Sequence, residues 1–237
     1  MFTSAQQWSD ALLSVANPEK AVVLSRFFKT DKVDMYGYGD KFLGITVPVN
    51  RTIARQALQL PFTDYVPLIT SEYHEFRLSA LLALVLLYKK ADSALRADIR
   101  AFYLSHTRHI NNWDLVDLST PYILGAHVVA TDDYSLPMHL VHSADMWEKR
   151  IGIVAMLTPV RQGIYENPMC ILSHNLYHSH DLIQKANGWL LREIYKKHPE
   201  VITAFLDENA TRLPRTTLRY TIEKMPEPLR KHYLHLK

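Results

Sequence analysis

Trp113 and Asp117 stand in the run Asn111-Asn112-Trp113-Asp114-Leu115-Val116-Asp117. On a helix this spacing of four puts an indole and a carboxylate on one face. An anion beside an aromatic plane suits a substrate that becomes transiently positive, because both groups lower the energy of that charge. Asp114 falls in the first helical turn, where the helix dipole accounts for it. Asp117 lies beyond that turn, and its structural alternative is a salt bridge to a neighbouring helix.

A second cluster lies between Asp181 and Lys197. At about 100° per residue, Ile183, Asn187, Leu190 and Ile194 share one side, and Lys185, Trp189, Arg192 and Lys196 share the other. Cations in such a stripe serve phosphates, and an indole among them serves a sugar or base face. The alternative is a solvated basic face with the tryptophan packed on a neighbour. A third group is Trp147-Glu-Lys-Arg150, where Lys149 and Arg150 lead into the apolar run Ile151 to Leu157. An arginine entering such a helix either pairs with a carboxylate or reaches an anion at an interface.

Other chemistries find little support. His174 and His178 have the spacing of helical metal ligands, with His180 nearby, but there is no HExxH glutamate. There is no GxxxxGK[ST] or GxGxxG phosphate loop, no GxSxG elbow, and Cys170 has no recognisable catalytic setting. Neither a metal nor a cofactor is expected.

The elements that must carry these residues are helices. The chain has 237 residues, 48% hydrophobic and 22% charged, which excludes disordered and low-complexity classes. Its 7 glycines are few, with Gly37, Gly39 and Gly44 in one segment, and alternating strand patterns with Asn-Gly or Asp-Gly turns are missing. Helical periodicity predicts helices over 4–16, 19–29, 48–60, 62–70, 73–90, 92–105, 113–130, 134–142, 145–158, 168–178, 181–197, 200–208 and 215–235. The last is broken near Pro226 and Pro228; Asn112 and Asp181 are candidate N-caps, and Pro199 is a stop after Lys196-Lys197-His198. The predicted class is all-α.

Helix pairs beginning near residues 73, 113, 145 and 181 have the rhythm of helical repeats, whose pairs bury their apolar faces by stacking. A curved stack of this kind would offer a concave face to a long ligand. With no linker composition in evidence, one α-helical repeat domain over 1–237 is expected. The segment 30–46 is longer than an ordinary connection, and is either a functional lid or an ordered excursion. The formal net charge is +3. It is concentrated from Asp181 onward, where 11 Lys and Arg face 7 Asp and Glu, a surplus suited to a polyanion. The run Leu78 to Tyr88 is too short for a membrane span and reads as a buried helix. An N-terminus without a basic-then-apolar signal and a single cysteine point to the cytoplasm.

Taken together, Phe27-Phe-Lys-Thr30, Lys41-Phe-Leu-Gly-Ile-Thr-Val-Pro48, Trp113-Asp-Leu-Val-Asp117, Trp147-Glu-Lys-Arg150 and Gln184-Lys-Ala-Asn-Gly-Trp-Leu-Leu-Arg-Glu193 occur in order over most of the chain. This set resembles the DNA-alkylation-repair glycosylases of the AlkD type. The resemblance implies a curved superhelical stack of HEAT-like antiparallel helix pairs with duplex DNA in its concave face. It also implies hydrolytic release of cationic bases such as N3-methyladenine and N7-methylguanine, by a monofunctional glycosylase acting in base-excision repair. Carried over by motif, Asp117 is the catalytic carboxylate, Trp113 and Trp189 flank the deoxyribose, and Arg150 holds the adjacent backbone. Lys149 is grouped with Arg150, and Lys185 and Arg192 are added from the helical wheel as DNA-binding residues. Some relatives have tyrosine where Phe27 stands, and some have a shorter segment at 30–40. The expected partner is duplex DNA with alkylated bases, bound by a monomer, with no membrane involved. The alternative is a noncatalytic HEAT-like module that binds nucleic acid or protein.

Overall fold

The computed structural model describes residues 1–236, and the fold is all-α. Among the described residues there is no strand, only an isolated parallel bridge between Lys41 and Tyr73. The chain divides into two compact units, Met1–Ile123 and Leu124–Lys237. Among the described residues no helix is long and apolar enough to cross a membrane.

The first unit contains α1 (Ala5–Leu13), α2 (Pro18–Phe27), α3 (Val47–Ala54), α4 (Phe62–Ile69), α5 (His74–Tyr88), α6 (Ser93–Ser105) and α7 (Trp113–Thr120). Its axis is α5, which the sequence run Leu78 to Tyr88 marks as apolar all round and which is buried from His74 to Val85. Helices α1, α3, α4, α6 and α7 pack on it. Trp8 of α1 is fully buried, donates its indole N–H to Ser79 Oγ at 2.8 Å, and meets Tyr65 edge-on.

Between α2 and α3, the chain from Phe28 to Thr46 is an ordered excursion tied to the start of α5. Lys41 N donates to Glu72 O, and His74 N to Lys41 O. The carboxylate of Glu75, itself buried, accepts the backbone N–H groups of Leu43, Gly44 and Ile45 at 2.8–3.1 Å. Gly44 adopts φ 81°, and a Cβ there would lie 2.1 Å from Asn17 O, so glycine is required by conformation and by space.

The second unit contains α8 (Ala126–Thr131), α9 (Ser135–Val141), α10 (Met146–Ala155), α11 (Leu157–Arg161), α12 (Glu166–Ser173), α13 (Asp181–Tyr195), α14 (Pro199–Asn209), α15 (Arg215–Ile222) and α16 (Glu227–His235). Here α13 is central, packed on α15, α10, α14 and α11. A Cβ on Gly188 would lie 2.4 Å from Tyr220 Cβ and 2.6 Å from Thr217 O, which shows how closely α13 and α15 approach.

The predicted elements are present, with shifted boundaries that have local causes. Asn112 caps α7, its Oδ1 accepting from Trp113 N at 2.9 Å. Asp181 is not a cap: His180 is, through Nδ1 accepting from Leu182 N, and Asp181 opens the first turn. The predicted helix over 145–158 ends at Ala155, since Pro159 has no N–H to offer the Ala155 carbonyl. The predicted 168–178 helix starts two residues earlier, with Pro168 tolerated in its first turn, and stops at Ser173. The long 113–130 prediction becomes α7, a π-helical turn over Pro121–Gly125, and α8. A proline at 121 interrupts the regular ladder at that place.

Two substitutions test this packing by urea denaturation. Glu75→Gln puts an amide N–H₂ against backbone donors and should cost about 2–4 kcal/mol, several times an ordinary hydrogen bond. Gly188→Ala gains roughly 1 kcal/mol of helix propensity but forces α13 from α15, so a net loss of about 1–3 kcal/mol is expected. An unchanged midpoint in either variant contradicts the corresponding contact.

Candidate functional site

In the first unit, α7 carries Trp113 and Asp117 one turn apart, both half-buried. The Trp113 ring stacks on Phe28 (5.2 Å between centroids, 13° between planes) and meets Phe27 edge-on at 6.0 Å. Phe28 is buried, whereas Phe27 is 62% exposed and extends the aromatic wall into solvent. Asp117 lies near Tyr103, a fully buried phenol whose hydroxyl is 3.1 Å from Ser119 Oγ and 2.7 Å from Thr120 Oγ1. Burial, with a contribution from the Asp117 charge, pushes the Tyr103 pKa up to about 12. Tyr103 is therefore a neutral hydroxyl beneath this face of α7.

The aromatic wall has a charged foundation that the sequence alone did not disclose. His74, at the start of α5, lies with Nε2 2.8 Å from Asp114 Oδ2 and Nδ1 3.2 Å from Asp40 Oδ2. Arg77, one turn later, donates Nη2 to Asp40 Oδ1 at 2.7 Å and Nη1 to Ser71 O at 2.8 Å. Asn112 Nδ2 also reaches Asp40 Oδ2, at 3.3 Å. The imidazole is stacked by Phe42 (4.6 Å, 21°) and tilted against Phe28 at 5.0 Å. Asp114 thus does more than complement a helix dipole: it is buried and bonded to a histidine from another helix.

The electrostatics reflect this geometry. Burial opposes a charge on His74, but the carboxylates, Asp114 foremost, outweigh it and push its pKa up to about 9. Burial also works against the Asp40 anion, yet His74 and Arg77 hold its pKa below the usual carboxylate value. A cavity of about 350 Å³ lies against the same group, lined by Leu24, Phe28, Phe42, His74, Leu78 and Asp114 among others.

The remaining candidates belong to the second unit. On α13, Ile183, Asn187, Leu190 and Ile194 are fully buried, as the periodicity predicts. On the other side Lys185, Trp189 and Arg192 are half-buried and Lys196 is exposed. Lys185 pairs with Asp181 at 2.7 Å, and Lys196 with Glu193 at 2.6 Å. Arg192 pairs with Glu223 and lies over the Tyr220 ring. On α10, Arg150 is buried and donates to Leu182 O, while Lys149 Nζ donates to Val141 O at 3.3 Å. Among the described residues no group of three or more His, Cys, Asp or Glu side chains could hold a metal ion. His178 Nδ1 instead accepts from His180 N, and the His174 ring meets His142.

The missed residues left one readable signal. His74, Glu75 and Arg77 open a helix whose remainder is apolar on every side, so charged groups there must be buried and must find partners. The partners of His74 and Arg77, Asp40 and Asp114, and the backbone amides held by Glu75 are remote in sequence and could not be named from it.

The comparisons agree with this arrangement of helices. A solved protein from Enterococcus faecalis, described as a "Predicted DNA alkylation repair enzyme", is similar in fold. It has a TM-score of 0.70 at 17% identity, over 90% of this chain and 97% of that one. No curated protein matches the sequence. The family model for DNA alkylation repair enzymes matches residues 8–225, and the chain belongs to that family.

Proposed function

We propose that this protein is a monofunctional DNA glycosylase that releases cationic alkylated purines, such as N3-methyladenine and N7-methylguanine, from duplex DNA. The observation that carries this reading is the half-buried Asp117 carboxylate, one helical turn from an indole whose inner face is backed by Phe28.

The chemistry asks little of the protein at the base. A purine alkylated at N3 or N7 is already positive, so it departs neutral with the electron pair of the N-glycosidic bond and needs no general acid. The demand falls on the sugar, which becomes oxocarbenium-like as the bond breaks. A carboxylate fixed about 4 Å from that centre, at an effective dielectric near 20, stabilises it by about 4 kcal/mol, or about three decades in rate. Water then adds at C1′, and the same carboxylate orients it and receives its proton. An indole face adds a cation–π contribution. Three decades suffice for a labile cationic nucleoside and fall far short for a normal base, which gives selectivity without a base-reading pocket.

Membership of the repair family and the carboxylate–indole pair both favour this enzyme over a noncatalytic helical module. Excision is measured as free base released from duplex DNA containing N7-methylguanine. Asp117→Asn should fold and bind that DNA as the wild type does, but lose about two to three decades in single-turnover rate. Unchanged excision removes Asp117 from the mechanism, and no release by the wild type from any alkylated substrate leaves a binding module.

The α13 cations give a second test. If Lys185 and Arg192 meet phosphates, replacing each by alanine should lower the slope of log affinity against log salt by about one. An unaltered slope assigns them to Asp181 and Glu223 alone.

A further inference from the structure

We propose that His74 is a positioning residue for this site: an imidazolium clamped between Asp40 and Asp114 that fixes the first turn of α7, and with it the orientation of the Trp113 ring. The inference rests on the glycosylase reading for its catalytic consequence, but its structural claim stands by itself.

Hydrogen-bonding capacity decides the protonation state. Both ring nitrogens face carboxylate oxygens, and an ionised carboxylate only accepts. A neutral imidazole has one N–H, so one of the two contacts would set a lone pair against an anion. Only the doubly protonated ring satisfies both. Charge balance agrees: Asp40 and Asp114 are matched by His74 and Arg77, and all four are largely buried.

The other charged groups around the ring add a further buried anion and an exposed cation. Glu75 on α5 is occupied by the backbone of Leu43, Gly44 and Ile45, and Lys20 of α2 lines the adjoining cavity. Deprotonation would therefore strand a net negative charge inside the unit, which is costly without a partner.

The mechanical link to Trp113 has two routes. Through the backbone, Asp114 is the next residue, and its Oδ1 also accepts from Leu115 N at 2.9 Å, so the carboxylate that His74 holds is itself part of the helix start. Through the rings, His74 leans on Phe28, and Phe28 carries Trp113. Asp40 closes the arrangement by tying Asn112, the α7 cap, to the same ring.

The raised pKa sets the sign of the pH effect. His74 contributes stability fully below its ordinary value of 6.5, and that contribution is lost as pH rises through about 9.

The test uses the full-length protein labelled with ¹⁵N-histidine and 5-fluorotryptophan; the Trp113 resonance among the 4 tryptophans is assigned with Trp113→Phe. At pH 7 both His74 nitrogens should show the imidazolium shift and an attached proton. The Trp113 fluorine resonance should move with the same titration as the ring loses its proton above pH 8. A neutral His74 at pH 7, or a Trp113 signal that ignores its titration, overturns the proposal.

With excision established, His74→Gln should slow single-turnover base release about ten- to a hundredfold at unchanged DNA affinity. Adding Asp114→Asn, which removes the stranded anion, should recover stability and the Trp113 resonance position. If His74→Gln does not fold, the wild-type titration still decides the matter. Base release without the His74 signature defeats this inference alone; the signature without base release defeats the glycosylase reading alone.

Discussion

A buried imidazolium between two carboxylates is the constraint on which the first unit is organised. Taking Asp40 and Asp114 out of water is unfavourable unless each anion is matched and its lone pairs are filled. His74 and Arg77 do this from adjacent turns of one helix, while the anions come from a long connection and from the start of α7. Three remote pieces of chain are thus held in one register by charge, and Phe28 and Phe42 seal the group from solvent. The aromatic wall at Trp113 is a surface consequence of that interior arrangement.

The second unit solves its positioning problem by contact. Two of its glycines sit where helices nearly touch: Gly152 of α10 against Val141 and Pro137 of α9, and Gly188 of α13 against α15. A buried chain of amides runs beside them, with Asn187 donating to Asn175 O and Asn175 to Val141 O. Such packing fixes the roll of α13, and so decides that Trp189 lies on its less buried side while Asn187 lies inside.

Much of this was legible in the sequence because helices announce themselves locally. Periodicity placed the buried face of α13, proline placed the break before α16, and Asn112 was recognisable as a cap from its residue type. Motif order disclosed the family. The charged foundation was hidden because its partners come from different elements, and the first-turn position of Asp114 offered a sufficient local explanation that proved incomplete. The segment 30–46 was ambiguous for a related reason: its anchor is Glu75, whose importance depends on three backbone amides that no side-chain pattern reveals.

That segment is tethered unevenly. Its later half holds Asp40, Phe42 and the Glu75 cradle, while Asp31, Lys32, Val33 and Asp34 are exposed. Residues added or removed at that tip would meet only water, since the buried charges are anchored by the chain beyond Gly39. Evolution is therefore free to lengthen or trim this part of the molecule while the anion beneath the indole wall keeps its place.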